Sequence, residues 1–190
     1  RGNDRPDSYF ELVRHAYALN PDDEYLGFEH GYNLVRLSRG DSAALAEGYK
    51  LMGRYVTDNP DDFYNNVVYA AISSQIGQDS NAIAIWGRLH RNHPSRPELT
   101  ARYAEVLGGS GDSLNIAKAI ELYDSLEASQ GAGMQLTSRK IQLYYMDADT
   151  SAMLNEVRNL VRQSPANPDY NIFAGDIYFQ LNSRDSAPMF

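Results

Sequence analysis

Cysteine is absent from the 190 residues. Disulfides, thiolate nucleophiles and cysteine-ligated zinc are therefore excluded, while every redox compartment remains open. Positive charge is in deficit: 17 Lys and Arg stand against 25 Asp and Glu, a formal net charge of −8. An acidic surface repels phosphate backbones and anionic membrane faces, so neither nucleic-acid binding nor membrane docking is expected. No apolar run reaches the roughly 18 residues that a membrane-spanning helix needs. No signal peptide falls in this numbering; removal of one before residue 1 would leave secretion open. Phenylalanine is scarce (6) beside tyrosine (14), whose ring and polar tip suit helix interfaces that end at a wet groove. Proline is scarce too, and its 8 copies fall mostly at punctuation points rather than inside apolar runs.

What is present repeats. Gly48-Tyr-Lys-Leu-Met-Gly-Arg-Tyr55, Ala82-Ile-Ala-Ile-Trp-Gly-Arg-Leu89, Ala119-Ile-Glu-Leu-Tyr-Asp-Ser-Leu126 and Met153-Leu-Asn-Glu-Val-Arg-Asn-Leu160 share one pattern. Each follows its first residue with a large apolar one four places on and another apolar one three after that, a single helix face. The starts lie 34, 37 and 34 residues apart, and an earlier copy, Tyr9 to Ala16, precedes the first by 39.

The breaks repeat as well. Asn20-Pro21-Asp-Asp23, Asn59-Pro60-Asp-Asp62, His93-Pro94-Ser95 and Gln163-Ser-Pro165-Ala-Asn-Pro168-Asp169 each follow a striped helix. Proline disfavours a helical residue before it and suits the start of the next helix, where Asp or Ser supplies the cap. One boundary differs, using Gly131 and Gly133. Between each break and the next stripe lies a second apolar-periodic segment: Glu24 to Leu37, Phe63 to Ile76, Glu98 to Leu107, Met134 to Met146 and Asp169 to Leu181. Each closes in a short turn, at Ser38–Asp41, Gly77–Asp79, Gly108–Asp112, Asp147–Asp149 and Asn182–Ser183. A helix pair of this size cannot bury its apolar face alone, so neighbours must stack.

This period and punctuation resemble the tetratricopeptide repeat (TPR) family. Phe63 to Pro94 is the best match, with Tyr69-Ala70 in its first helix, Gly77 at the turn, Ala82 and Trp86 in its second helix and the closing Pro94. Gly175 and Tyr178 hold the matching places near the C-terminus, and Ala16 and Pro21 do so near the N-terminus. The resemblance covers about nine-tenths of the chain. Departures are extra residues around Asp41–Ala44 and Ser110–Asn115, and Ile141 and Met153 where small residues are usual. The resemblance implies an all-α fold, a right-handed α–α superhelix of about four helix pairs with partial repeats at both ends. The divisions are a half repeat at 7–21, repeats at 22–60, 61–94, 95–131 and 132–166, and a partial repeat at 167–190. The unpaired second helix from Asp7 and the partner helix expected from about Asp185 read as a fragment of a longer array.

Candidates for chemistry reduce to structural roles. Gly108-Gly-Ser-Gly-Asp112 lacks the Lys-Ser/Thr of a phosphate loop and reads as a flexible turn. His90 and His93 are spaced to share a metal, but no third ligand is near in sequence, and histidines in a last turn complement the helix dipole. Asp147-Ala-Asp149 lacks the remaining ligands of a calcium loop, and Asp22-Asp23 and Asp61-Asp62 recur at helix starts; both patterns favour capping over catalysis. No enzyme activity, metal or cofactor is expected.

In the resembled family the first helices line a concave groove that holds a partner. Carried over, that groove would display His30, Leu34 and Leu37; Tyr64, Val67, Ala71 and Ser74; and Glu98, Ala101 and Glu105. Gln135, Ser138, Gln142 and Tyr145 would follow, then Ile172, Asp176 and Phe179. The Lys and Asn clamp by which some members hold a C-terminal carboxylate is missing: its places carry His30, Asn33, Val67, Ala71, Ala101 and Glu105. An acidic, aromatic groove suits a basic and apolar peptide or protein segment. The expected function is a non-catalytic protein-interaction scaffold. The alternatives are a peptide- or glycan-recognition module of a bacterial cell-envelope system, whose repeat proteins the Asn-, Asp- and Tyr-rich turns resemble, or an accessory domain of a larger enzyme.

Overall fold

The computed structural model describes residues 5–185. Ten helices occur in order: α1 (Arg5–Leu19), α2 (Glu24–Leu37), α3 (Ser42–Asp58), α4 (Phe63–Gln75), α5 (Asp79–Asn92), α6 (Pro97–Gly109), α7 (Ser113–Gln130), α8 (Met134–Met146), α9 (Thr150–Gln163) and α10 (Pro168–Asp185). No strand occurs among the described residues. The chain divides between Ile85 and Trp86, inside α5, into two compact units.

Aspartates start five of the helices. The carboxylate of Asp23 accepts from Leu26 N at 2.9 Å, Asp41 from Ala43 N at 2.9 Å, Asp62 from Asn65 N at 3.1 Å, Asp112 from Asn115 N at 3.0 Å and Asp149 from Ala152 N at 2.9 Å. Each satisfies an amide that the helix itself leaves unbonded. Asp23, Asp62 and Asp149 cap as expected, but the Ser95 cap expected at the third break is absent: α6 follows Arg96, which makes no side-chain capping bond. The breaks are tied back by side-chain amides: the buried Asn66 Nδ2 donates to Asn59 O at 3.0 Å, and the exposed Asn171 Nδ2 donates to Pro165 O at 3.0 Å.

The repeated stripe is the core. Met52 and Tyr55, Ala82, Trp86 and Leu89, Ala119, Tyr123 and Leu126, and Met153, Val157 and Leu160 are all buried. A fully buried large apolar side chain contributes about 1.5–3 kcal/mol, so these positions dominate the packing. Helices approach most closely where the sequence gives up side chains. A Cβ on Gly31 of α2 would stand 2.5 Å from Gly48 O of α3. A Cβ on Gly53 would stand 2.7 Å from the Tyr69 hydroxyl, and one on Gly87 3.0 Å from the Tyr103 ring.

The extra residues near Asp41 and Ser110 lengthen the second helices of their pairs. α3 and α7 have 17 and 18 residues where α5 and α9 have 14, an added turn at about 3.6 residues per turn.

Two expected turns are corrected. Gly108 and Gly109 belong to α6, and Gly108 is buried against Leu143 of α8, so the close approach of two helices uses it rather than a flexible loop. Asn182–Ser183 is not a turn, since α10 continues through Asp185. That stretch holds no glycine or proline, and no described helix follows to fold the chain back. The second helix expected from about Asp185 lies outside the described residues.

Candidate functional site

α8 carries a cavity on each flank. The first, about 460 Å³, opens between α6, α7 and α8. Its rim holds Glu98, Arg102 and Glu105 from α6 and Gln135 and Arg139 from α8, and Tyr123 and Leu126 of α7 lie at its base. Glu105 receives two guanidinium groups, Arg102 Nη1 at 2.9 Å and Arg139 Nη2 at 3.4 Å, and the second pair ties α8 to α6. Burial pushes the Tyr123 hydroxyl up from its ordinary pKa, with the Arg139 charge opposing. It is therefore a neutral donor at physiological pH.

The second cavity, about 480 Å³, lies between α8, α9 and α10. Ile141 and Met153 form an apolar floor with Ile177 and Leu181, and Ser138, Gln142, Tyr145 and Gln180 supply polar edges. Phe173, Ala174, Ile177 and Leu181 of α10 pack on the cluster of Ile141, Met153 and Val157. The large residues at 141 and 153, unusual for their places, thus build this floor.

A smaller cavity of about 170 Å³ lies in the other unit, between α1, α2 and the start of α3. Asn33 lines it at 4% exposure, and neither its carboxamide nitrogen nor its oxygen has a hydrogen-bond partner.

No family model and no curated protein matches the sequence. Solved structures do. MamA from MSR-1 superposes with a TM-score of 0.63 at 15% identity, covering 80% of this chain and 83% of that one. MamA from AMB-1 gives 0.62 at 15% identity, over 82% and 87%. A tetratricopeptide repeat protein from Parabacteroides merdae gives 0.61 at 14% identity, over 91% of this chain and 66% of that one. The fold is the tetratricopeptide-repeat solenoid. At this identity the likeness is one of fold.

In TPR terms, α2, α4, α6, α8 and α10 are first helices, and α1, α3, α5, α7 and α9 are second helices. Of the groove residues carried over from the family, Glu98, Ala101, Glu105 and Gln135 meet in the first α8 cavity, and Ser138, Gln142 and Tyr145 meet in the second. His30, Leu34 and Leu37 line the small cavity in the other unit. His30 stacks on Tyr17 at 5.0 Å, and burial lowers its pKa. Tyr64 (72% exposed), the half-buried Val67, and the exposed Asp176 and Phe179 line none of these three cavities. Sequence reasoning missed Arg102, Arg139, Ile177 and Gln180. The signal available for Arg102 was its i, i+3 spacing from Glu105.

Glu105, one of the acids expected in the groove, is paired with two arginines. His90 Nδ1 sits 3.0 Å from Thr100 Oγ1, with its ring on Tyr103, so it serves a helix junction. Among the described residues no group of three His, Asp or Glu is arranged to hold a metal ion, and no helix is long and apolar enough to cross a membrane.

Proposed function

We propose that the chain is a non-catalytic scaffold that holds an extended segment of a partner protein across α8. The observation that carries this reading is the pair of cavities, about 460 and 480 Å³, that share α8 as their common wall. Each lies in the 300–1,000 Å³ range typical of ligand sites. The α8–α10 cavity takes an apolar side chain over Ile141 and Met153. The α6–α8 cavity takes a polar or basic one beside Glu98, with Tyr123 as donor. Arg139, on the wall of the α6–α8 cavity and 3.4 Å from Glu105, bonds a backbone carbonyl of the peptide there. Lining side chains supply hydrogen bonds and apolar area, which is what peptide capture needs.

The test is isothermal titration against a panel of extended peptides in which one apolar and one basic residue are separated by varied spacings. Binding at one spacing, weakened about tenfold or more by either Arg139→Glu or Tyr145→Ala, is the expected result; about 1.4 kcal/mol corresponds to that factor. A chain that ignores every peptide but is thermally stabilised by an oligosaccharide overturns the reading in favour of glycan recognition.

A further inference from the structure

The α6–α8 cavity has at its base a hydroxyl that the fold does not use. Tyr123 of α7 is 4% exposed and lines the cavity. Among the described residues its hydroxyl has no hydrogen-bond partner. Met52, Trp86 and Val157 hold the same place in the other stripes, and all are buried. Only here does that place bring a hydroxyl into the core. Burying one without a partner is destabilising, and a phenylalanine would fill the same space without that penalty. α6, α7 and α8 each have a helix before and after them, so the cavity is built from interior helices of the stack.

Charge beside this hydroxyl is already matched. Arg102 and Arg139 both pair with Glu105, at 2.9 and 3.4 Å. A carboxylate entering there would compete with Glu105 for the guanidinium groups, and an ammonium would meet two arginines. Neither finds a free counter-charge, and a charge taken out of water needs one. An apolar side chain would leave the hydroxyl unbonded. A neutral side chain with an acceptor oxygen satisfies it. Gln130 and Gln135 stand in the same lining, both exposed, and each amide oxygen can accept while its nitrogen donates. A carboxamide therefore matches both halves of the lining. Its oxygen accepts from Tyr123, and its N–H groups donate to a glutamine oxygen.

We propose that the base of this cavity is a carboxamide subsite, which takes a glutamine or asparagine side chain of the segment held across α8. The proposal rests on the scaffold reading above and adds one contact to it. The basic residue of the segment stays at the rim with the exposed Glu98, while the carboxamide reaches down to Tyr123.

The test titrates the N-acetyl methylamides of glutamine, asparagine, glutamate, lysine and norleucine into the isotope-labelled chain and follows amide signals by NMR. Ligands this small bind in roughly the millimolar range. The glutamine or asparagine derivative is expected to shift signals of α6 and α8 around Arg102 and Arg139, and to bind at least about tenfold more tightly than the other three. Tyr123→Phe is expected to abolish that preference without lowering Tm, because the hydroxyl it removes has no partner in the fold. A glutamate or lysine derivative that binds as well as the carboxamides overturns the proposal, and so does the absence of any shift in α6 and α8. A Tyr123→Phe chain that keeps the preference shows that the hydroxyl is not the contact; one that melts below the parent shows that it serves the fold. Either result sinks the subsite. Peptides form a separate arm. If they bind but gain nothing from a glutamine or asparagine beside the basic residue, the subsite fails and the scaffold stands. If no peptide binds, the scaffold fails, and the five derivatives still decide whether the base selects carboxamides.

Discussion

Lys140 is the buried charge on which α7, α8 and α9 converge. Its side chain is 3% exposed, and Nζ lies 2.9 Å from Asp124 Oδ1, 2.6 Å from Glu127 Oε2 and 2.6 Å from Glu156 Oε2. Burial alone would favour loss of its proton. The hydrogen bonds that its ammonium donates to Glu127, Glu156 and Asp124 outweigh burial and hold its pKa above that of ordinary lysine. A raised folded-state pKa means that the stabilisation is fully present below the unfolded value of about 10.4 and is lost as pH rises through the folded one. Replacing Lys140 with methionine keeps length and apolar volume but leaves three carboxylates facing one another. Removing one partner of a buried pair costs about 3–5 kcal/mol. At roughly 2–4 °C per kcal/mol for a chain of this size, Lys140→Met is expected to lower Tm by about 6–20 °C. Calorimetry at neutral pH measures this, and two controls isolate the cause. The deficit should shrink on acidification, as the stranded carboxylates take up protons. Adding Glu127→Gln and Glu156→Gln should restore at least half of it, because the groups no longer repel. A single variant that melts within about 2 °C of the parent refutes the reasoning, since that is less than 1 kcal/mol.

Gly31→Ala is expected to cost about 3 kcal/mol in urea unfolding, because its Cβ meets the Gly48 carbonyl and backbone cannot turn aside; Gly53→Ala, which meets a side-chain hydroxyl, should cost less. Asn33→Leu is expected to stabilise by about 1 kcal/mol, since it removes a buried carboxamide with no partner; a loss of stability in the same titration would show that ordered water satisfies the amide. Burial works to raise the Asp62 pKa, but the Tyr55 hydroxyl and the Asn65 backbone and side-chain amides hold it below the usual value. Its contribution is thus present above about pH 4 and lost as pH falls through the folded value, so Asp62→Asn should flatten the acid limb of urea midpoint against pH.

The helices were legible because their information is local. A stripe at i, i+4, i+7 and an Asp at the cap act within one helix, and α2 and α8 ran between the residues the pattern indicated. The end of α10 was not legible, because a turn there depends on what the next helix does, and Asn182–Ser183 carry no chemistry that forces one. The site was half legible. The family resemblance put Glu98, Glu105, Gln142 and Tyr145 on first helices, but neither it nor spacing gave a sign that α8 separates their cavities or that Arg139 of α8 turns to Glu105 of α6. Lys140 was missed for the same reason. A lysine on an amphipathic helix reads as solvated, and only packing brings acids from α7 and α9 around it.

One register place shows how the chain varies a common joint. Gly53 faces Tyr69 and Gly87 faces Tyr103, each pair sixteen residues apart, and Asp124 and Lys140 stand at the same separation in the next repeat. The first two joints fill the gap left by a glycine with a tyrosine ring; the third closes it with an ion pair. The exchange predicts a reversal of sign. Asp124→Gly alone is destabilising, because it puts glycine inside α7 at a cost of about 1 kcal/mol and removes one acceptor of the Lys140 ammonium. In a Lys140→Tyr background the same substitution should stabilise, because it opens the space that the ring occupies in the earlier joints. A double-mutant cycle in urea measures the coupling directly. If Asp124→Gly costs the same in both backgrounds, the three joints share only a spacing and the packing logic assigned to them is wrong.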